Sequence, residues 1–260
     1  MVYKIIAANY PQAIALSDQL RTILSDHTEH TNQYHHDDTV IVQQTPLDYL
    51  FIIGGDGTFI QYVREYAFVP NLKIIGINGG NVGFFTSYHA HNLVNILAII
   101  DDEKPVECYK QFHLLAISDQ TNTWYGFNDF VMFAVTVLDV EIYCDQHHLE
   151  HYRGSGLLFS TKYGSTGYNK SAKGPIIFPQ IQAWIMHELF AQQTAKIHSL
   201  YNPLLLPNEA IITIVPKTLW KPIKFSVDGQ VINLDWNQNG ISVGLKQSLA
   251  LIYLPCTTTQ

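Results

Sequence analysis

The apolar residues of the first hundred positions form two patterns that alternate along the chain. Short continuous apolar runs bounded by glycine or polar residues predict buried strands. Stretches in which apolar residues recur at near-helical spacing predict amphipathic helices. The predicted strands are 3–8, 51–53 and 72–77, and the predicted helices are 11–25, 58–66 and 93–100. Strands that alternate with helices in this way favour an α/β domain with a parallel sheet.

Beyond Pro105 the pattern changes to short strands in which apolar and polar residues alternate, with turns such as Asp228-Gly229 between them. Only residues 180–193 favour a helix in this part of the chain. The predicted strands are 113–118, 131–133, 137–144, 157–160, 211–215 and 223–227. We therefore predict two domains, an α/β domain over residues 1–102 and a β-rich domain over residues 103–245.

The sequence FIIGGDGT at residues 51–58 joins a buried strand to a predicted helix through a glycine turn. Gly54 and Gly55 allow the backbone to turn tightly against a bulky anionic ligand. Ligands of open α/β sheets bind at the carboxyl ends of the strands, where the following helix can direct amide groups at phosphate. Asp56 is unsuited to simple anion binding, so this carboxylate is expected to hold a metal ion or to accept a proton. An aspartate that only stabilises the turn is the structural alternative.

A second strand also ends in glycines, in the sequence Asn78-Gly79-Gly80-Asn81, and is followed by Val82-Gly83-Phe84-Phe85. Two successive strands with glycine-rich carboxyl ends predict a crevice lined by both loops. The pair of loops is a more specific signal than either loop alone.

The predicted β-rich domain carries its own polar and glycine-rich segments. These segments are Asn128-Asp129, Arg153-Gly154-Ser155-Gly156 and the run from Gly164 to Ser171. Small hydroxyl residues between glycines let a flat base or a ribose approach the backbone, and Tyr168 can stack or donate its hydroxyl. This composition predicts a nucleotide-binding surface.

Two other chemistries can be weighed against these residues. A serine hydrolase turn requires the pattern Gly-x-Ser-x-Gly, which the residues around Ser165 do not match. Cys144 with His147, His148 and His151 resembles a metal cluster, but the spacing matches no common zinc pattern and favours an exposed polar hairpin. The histidine-rich segment 26–45 predicts a loop or an edge segment rather than a metal site.

Composition restricts the partners and the compartment. Charged residues make up only 14% of the chain, against roughly 25% in average soluble domains, so neutral surface is available for subunit interfaces. The formal charge of −7 gives no electrostatic footprint for nucleic acid or an anionic membrane. Cys108, Cys144 and Cys256 are few and far apart, which is typical of free thiols in a reducing compartment. We predict a cytoplasmic protein that binds neither nucleic acid nor a membrane.

With these loops in place, the chain resembles the NAD kinase family, particularly its shorter bacterial members. The matching segments follow the family's order and spacing over most of the chain. They are Gly54 to Thr58, Gly76 to Phe85, Asn128 with an acid after it, Arg153 to Gly156, Gly164 to Ser171, and Val227-Asp228-Gly229. The resemblance implies an α/β domain joined to a β-sandwich, with a strand near 249–254, within residues 246–260, that returns to the first domain. It also implies a homo-oligomer, a dimer or a tetramer, with sites shared between subunits.

The same resemblance implies transfer of the γ-phosphoryl group of ATP, or of polyphosphate, to the 2′-hydroxyl of the adenosine ribose of NAD, with Mg²⁺ neutralising the phosphates. Asp56 would be the general base or the carboxylate that orients the hydroxyl, and Gly57 with its neighbours would approach phosphate. Asn128 and Asp129 would hold the adenosine. The other residues implied to contact substrate are Phe84, Phe85, Arg153, Ser155, Tyr163, Thr166, Gly167, Tyr168, Ser171 and Asp228. No residue is assigned as a dedicated metal ligand.

Four positions depart from the family pattern. Asp129 stands where a glutamate is usual, and Ser155 stands where an aspartate is usual. Tyr163 and Gly167 replace smaller or alanine-like residues. Because Asp56 and its glycines are intact, these departures are expected to affect substrate affinity more than phosphoryl transfer. Two alternatives remain open at this point: a kinase for another hydroxyl substrate such as a lipid, and a sensor that binds NAD or NADP without turnover.

Overall fold

The computed structural model describes residues 2–27, 47–79, 83–86, 93, 96, 100, 109–194, 197, 199–219 and 222–254 of the 260-residue chain. The chain divides into two compact units. The first is Met1–Phe112 together with Ser248–Gln260, and the second is His113–Gln247.

The elements are numbered in chain order. The strands are β1 (Tyr3–Ala7), β2 (Tyr49–Gly54), β3 (Lys73–Asn78), β4 (Tyr109–Ser118), β5 (Thr123–Gly126), β6 (Asp129–Cys144), β7 (His147–Ser160), β8 (Ala183–Leu189), β9 (Leu204–Pro207), β10 (Ile212–Pro216), β11 (Ile223–Val227), β12 (Gln230–Ile232) and β13 (Ile241–Tyr253). The helices are α1 (Pro11–His27), α2 (Asp56–Tyr66) and α3 (Tyr168–Ser171), with a 3₁₀ turn at Gly164–Thr166.

The first unit contains a parallel sheet in the order β1, β2, β3, β13. Every residue of β2 is buried, as expected for a parallel strand covered on both faces. Helix α1 buries Ala13, Leu16, Leu20 and Leu24, which recur at three- and four-residue spacing. These contacts confirm the predicted first strand, first helix and buried strand before the glycine turn.

Helix α2 begins at Asp56, two residues before the predicted start at Thr58. Gly55 is the N-cap, and its extended backbone (φ −92°, ψ −178°) carries no side chain that could mark the cap in the sequence. The first helical bond runs from the Phe59 N–H to the Gly55 carbonyl at 3.1 Å. Asp56 therefore occupies the first turn of the helix, where the helix dipole favours a negative charge.

The second unit is rich in antiparallel sheet and is built on the hairpin of β6 and β7. Strand β6 had been predicted as two separate strands, and it is one strand whose register shifts between Phe133 and Leu138. Its first part pairs with β11 and its last part pairs with β10, so the irregularity allows one strand to serve two neighbours. The hairpin turns at Asp145 and Gln146, both at positive φ, which confirms the predicted polar hairpin.

The helix predicted at residues 180–193 is wrong. Residues Ala183–Leu189 form strand β8, which pairs with β7 on one side and β9 on the other. A short apolar run that is buried on both faces shows neither strand nor helix periodicity, so the sequence pattern could not separate the two structures. Strands β5, β9 and β12 are additional to the prediction.

Some sequence expectations lie outside the described residues, namely most of the histidine-rich segment, most of the helix at 93–100, the glycine loop at 80–82, Cys108 and Cys256. Cys144 is a free thiol. Within the described ranges, no three or more histidine, cysteine or acidic side chains converge on a metal site. No helix among the described residues is long and apolar enough to cross a membrane.

The Tyr152 hydroxyl ties the backbone of two strands together inside the second unit. It lies 2.6 Å from the Gly156 carbonyl and 2.8 Å from the Leu189 carbonyl, and it accepts the Gly156 N–H at 3.1 Å. Burial raises the pKa of Tyr152, so the group stays a neutral donor and acceptor at physiological pH.

Replacing Tyr152 with phenylalanine should lower the free energy of unfolding by about 1–3 kcal/mol, because three buried backbone groups would lose their shared partner. Chemical denaturation of the two proteins would measure this difference. Tyr143→Phe is the matched control, since this ring packs edge-on against His148 on the outer part of the hairpin. Equal midpoints for wild type and Tyr152→Phe would contradict the assigned role.

Two buried carboxyl groups, Glu150 on β7 and Glu188 on β8, contact each other in the second unit. Glu150 Oε2 accepts the Leu200 N–H at 2.9 Å, and Glu188 Oε2 accepts the Tyr201 N–H at 2.8 Å. Neither Oε1 atom meets a donor anywhere in the described chain. Because an ionised carboxylate can only accept, the two carboxyl groups form a hydrogen bond with each other only when one of them is protonated. Burial and the neighbouring Glu188 carboxyl raise the pKa of Glu150 to about 8.

Candidate functional site

The two glycine turns predicted to form a crevice meet in the first unit. The Gly79 N–H donates to the Gly54 carbonyl at 3.2 Å, which joins the carboxyl ends of β2 and β3. A side chain at Gly79 would clash with the Tyr10 hydroxyl and would displace the Tyr10 ring. Asp56 lies two residues after the end of β2, at this edge of the sheet.

The Asp56 carboxylate is fixed by two backbone hydrogen bonds. Its Oδ2 accepts the Phe84 N–H at 2.9 Å, and its Oδ1 accepts the Phe85 N–H at 2.9 Å. Each oxygen retains a further acceptor direction, because a carboxylate oxygen has about two lone-pair sites. The carboxylate is therefore oriented by the protein and still able to bind a hydroxyl or a metal ion.

The two neighbouring aromatic residues have different environments. Phe85 is only 5% exposed, and its ring stacks on Phe59 with centroids 5.9 Å apart. Phe84 is 70% exposed. Of the two predicted substrate contacts, the geometry therefore favours Phe84 as a ligand contact and Phe85 as a packing residue. Gly57 borders open space, because a Cβ added at this position would have no atom of the described residues within 4 Å.

In the second unit, Asp228 holds the loop that contains Asn128 and Asp129. Its Oδ2 accepts the Phe127 N–H at 2.8 Å, and its Oδ1 accepts the N–H groups of Asn128 at 2.7 Å and Asp129 at 3.1 Å. Asp228 adopts a φ of 48°, a left-handed conformation that aspartate tolerates better than most residues. These contacts favour a role for Asp228 in positioning this loop over direct contact with substrate.

Thr161 holds the same loop from the other side, a role that the sequence analysis missed. Its hydroxyl donates to the Phe127 carbonyl at 2.6 Å, and its N–H donates to the Asn128 carbonyl at 2.9 Å. Gly164 packs directly on the Asn128 backbone, where a Cβ would clash with the carbonyl oxygen. The only signal in the sequence was a hydroxyl residue directly after the predicted strand 157–160.

Asn128 and Asp129 each keep polar capacity that the described protein groups do not use. Asn128 Oδ1 is buried and meets no donor in the part of the chain that the structure describes. Burial, and then the negative charge of Asp228, raises the pKa of Asp129 to about 7. Near neutral pH the Asp129 carboxyl therefore exists in both forms, as a hydrogen-bond donor when protonated and as an acceptor when ionised.

Tyr163 forms an aromatic pair next to this loop. Its ring stacks on Phe127 with centroids 4.9 Å apart and an interplanar angle of 15°. Burial raises the pKa of Tyr163 to about 12, so its hydroxyl is neutral. The Lys162 ammonium lies 5.3 Å from the centroid of the Tyr163 ring.

The glycine-rich run from Gly164 to Ser171 has an outer and an inner set of side chains. Ser165 and Asn169 are buried and bond within the loop, since the Ser165 hydroxyl donates to the Lys162 carbonyl at 2.7 Å and the Asn169 amide donates to the Pro175 carbonyl at 2.8 Å. The exposed residues of the run, which can meet a ligand, are Thr166, Gly167, Tyr168, Lys170 and Ser171.

The structure does not bring Arg153 and Ser155 to the Asn128 loop within one chain. Ser160 pairs with Asp129, and Ser155 lies five residues earlier on β7, about 17 Å away along an extended strand. Arg153 instead forms an ion pair with Asp139, with Nε 3.2 Å from Oδ2.

Comparison with known proteins matches both parts of the chain to one family. The family model for the ATP-NAD kinase N-terminal domain matches residues 3–103 of the sequence, and the family model for the ATP-NAD kinase C-terminal domain matches residues 132–246. The NAD kinase of Ureaplasma parvum serovar 3 is 35% identical over 205 residues, which cover 78% of this chain and 74% of that protein. This chain belongs to the NAD kinase family. The NAD kinase of Mycoplasmoides gallisepticum is 37% identical over 210 residues, covering 79% of this chain and 75% of that protein.

Solved structures agree with this assignment at the level of the fold. A crystal structure of an NAD kinase from Archaeoglobus fulgidus in complex with ATP superposes with a TM-score of 0.72 at 18% identity, covering 98% of this chain and 94% of that one. Yeast NADH kinase complexed with NADH superposes with a TM-score of 0.76 at 18% identity, covering 99% and 84%. The predicted family, the two-domain fold and the assignment as an NAD kinase are confirmed.

Proposed function

We propose that this NAD kinase transfers the γ-phosphoryl group of ATP to the 2′-hydroxyl of the adenosine ribose of NAD, with Asp56 as the general base. The observation that carries the proposal is the Asp56 carboxylate, held by the Phe84 and Phe85 amides at the start of α2. A ribose hydroxyl is a poor nucleophile near neutral pH, so a positioned carboxylate is what such a transfer needs. The relatives with bound ATP and with bound NADH support both substrates.

The proposed reaction forms one bond to phosphorus, breaks another and moves one proton. The ribose oxygen forms a bond to the γ-phosphorus while the bond from phosphorus to the bridging oxygen of ATP breaks, and ADP leaves. The proton of the 2′-hydroxyl passes to the Asp56 carboxylate. The first backbone N–H groups of α2, which have no partner inside the helix, and the open space at Gly57 suit the phosphates of the donor. Polyphosphate has the same charge pattern and is the alternative donor.

A divalent ion such as Mg²⁺ fits this arrangement as a partner of the nucleotide. Mg²⁺ in phosphoryl-transfer sites is bound by one or two carboxylates and by substrate phosphates. Since the described residues contain no cluster of three or more metal-binding side chains, the phosphates would supply most of the ligands. The ion supplies neutralisation of the phosphate charge.

For the adenosine end, the proposal rests on the loop that Asp228 and Thr161 hold. Asn128 Oδ1 is a buried acceptor without a partner among the described groups, which suits an exocyclic amine of the base. Asp129 follows Asn128 in the chain, and the Tyr163 ring stacks on the preceding Phe127. Thr166, Gly167, Tyr168 and Ser171 would wall the dinucleotide. Because Asp129 is one methylene shorter than the usual glutamate, it would reach a ribose hydroxyl less well.

We also propose that the enzyme acts as a homo-oligomer. Large apolar side chains on the second unit are exposed, with Phe190 84% and Tyr201 70% accessible. Such residues support an interface between copies. Arg153 and Ser155, which lie far from the Asn128 loop along β7, are then candidates for contact with a substrate held by another copy.

The decisive experiment measures NADP formation from NAD, ATP and Mg²⁺ by the purified chain, coupled to an NADP-specific dehydrogenase. Parallel reactions with labelled ATP contain NADH or a diacylglycerol as acceptor, and others contain polyphosphate as donor. Label in NADP would support the proposal. Label only in the lipid would replace it with a lipid kinase, and tight NADP binding without turnover would replace it with a sensor.

Replacing Asp228 with alanine should raise the KM for NAD by roughly 10-fold or more, with a smaller change in kcat, because the Asn128 loop would lose three backbone hydrogen bonds and its preorganisation. Steady-state kinetics across NAD concentrations measure the changes in KM and in kcat separately. Asp235→Ala serves as the control, since the hydrogen bond that the described residues give this exposed carboxylate comes from the Asn237 amide within its own turn. A reduced kcat with an unchanged KM would contradict the positioning role of Asp228.

A further inference from the structure

Thr86 differs from the other fully buried serine and threonine residues that the structure describes. Its side chain is 1% exposed, and Oγ1 meets no hydrogen-bond partner among the described groups. The other fully buried serines and threonines all donate to a carbonyl at 2.6–3.0 Å, and they are Ser17, Ser160, Thr161, Ser165 and Ser248. A buried hydroxyl without a partner costs about 1–3 kcal/mol, so a valine of the same shape would be at least as stable here.

The position of this hydroxyl relates it to Asp56. A Cβ at Gly83 would clash with Thr86 Oγ1 and would lie 3.2 Å from Asp56 Oδ1. The missing side chain of Gly83 therefore leaves a space that the Thr86 hydroxyl enters from one side and that the Asp56 carboxylate borders on another. The intervening residues Phe84 and Phe85 are those whose N–H groups hold the same carboxylate.

Counting the acceptor directions of Asp56 shows what the hydroxyl could add. The Phe84 and Phe85 N–H groups use one direction on each oxygen, and two directions remain. A hydroxyl donor on Oδ1 would leave a single open direction, on Oδ2. The carboxylate would then accept the proton of an incoming hydroxyl from one side only.

We infer that Thr86 is a positioning residue for phosphoryl transfer, whose hydroxyl donates to Asp56 Oδ1 in the catalytic complex and directs Oδ2 at the substrate hydroxyl. The inference rests on the proposed role of Asp56 as the base. Thr86 acts through Asp56 and does not itself touch the reacting atoms.

The test compares Thr86→Val, which removes the hydroxyl at nearly constant shape, with Thr86→Ser, which keeps it. Thr86→Val should lower kcat for NADP formation at least about 10-fold, with the KM for NAD changed less than about 2-fold, because only a poorly aligned base is left. Its acidic limb in the pH–rate profile should move to higher pH, since a donor to the ionised carboxylate is lost. Thr86→Ser should restore most of the rate, and Thr22→Val on the exposed face of α1 is the matched control.

Thermal unfolding separates this role from packing. Thr86→Val should be as stable as wild type or more stable, so a slower enzyme with an intact fold supports the inference. An unchanged kcat in Thr86→Val overturns it. A loss of stability in Thr86→Val that Thr86→Ser shares also overturns it, because the residue would then act through packing. The ¹³C NMR signal of the Asp56 carboxyl, assigned with Asp56→Asn, gives a readout without turnover. If wild type makes no NADP, the proposed function fails by itself, and identical Asp56 signals in wild type and Thr86→Val with bound NADP would overturn the inference about Thr86 separately.

Discussion

Replacing Asp56 with asparagine should lower kcat for NADP formation by about 10²–10⁴-fold, the contribution expected of a general base. The amide has nearly the same shape as the carboxylate but cannot accept the proton of the ribose hydroxyl. Its oxygen can still accept one of the two N–H groups of Phe84 and Phe85, so the fold around the turn should persist. The coupled NADP assay with both proteins at equal concentration measures the loss.

The control for this loss is binding. NADP should bind to Asp56→Asn within a few-fold of wild type by isothermal titration, because the proposed adenosine contacts lie on the loop around Asn128. Asp18→Asn, which removes an exposed carboxylate paired with Arg21 on α1, should leave turnover unchanged. A turnover number for Asp56→Asn within a few-fold of wild type would remove Asp56 from the role of base.

The buried pair Glu150 and Glu188 should make the stability of the second unit fall as pH rises. The pKa of Glu150 is raised from 4.5 to about 8, so the native pair keeps a proton that the unfolded chain has already released above pH 4.5. The stabilisation is complete below pH 4.5 and is lost as pH increases towards and through 8. Above this range two buried charges repel each other, and the contacts with the Leu200 and Tyr201 amides should weaken.

Glu188→Gln tests this explanation directly. A glutamine amide can donate to Glu150 Oε1 at every pH, while its oxygen still accepts the Tyr201 N–H, so the decline in stability should flatten and the variant should exceed wild type at pH 9. Denaturant unfolding at pH 5, 7 and 9 gives the three free energies. Glu141→Gln is the control, because Glu141 is partly exposed and already paired with Lys217 and His148. Parallel pH curves for wild type and Glu188→Gln would refute a shared proton.

Sequence periodicity was sufficient where an element buries one face or ends at a glycine. The strand before Gly54 and helix α1 follow from apolar spacing alone, and Asp56 follows from its place after a buried strand. Strand β8 could not be predicted in this way, because its residues are buried on both faces and carry no period. Strand β6 was divided in two, because its irregularity near Phe133 interrupts the alternation.

In the candidate site, too, the sequence revealed local segments but not the contacts between residues that are far apart in the chain. The sequence identified segments that carry the chemistry, such as Asn128-Asp129 and the run at 164–171. It could not show that Asp228, about a hundred positions away in the chain, fixes the Asn128 loop, because that contact depends on the pairing of β11 with β6. Nor could it distinguish the exposed Phe84 from the buried Phe85, since the difference comes from the ring of Phe59.

The path of strand β13 has a consequence for how the protein is made. Leu251 and Ile252 pair with Lys73 and Ile74 of β3, and the Leu249 N–H donates to the Ala67 carbonyl. The ribosome therefore completes every residue of the second unit before it supplies the strand that covers β3. During synthesis the nascent first unit presents an unpaired, apolar strand edge, which is a site for misassociation with other chains. A chain cut short before Ser248 would keep the glycine turn around Asp56 and still leave that edge open, so truncated products should depend on chaperones and be degraded.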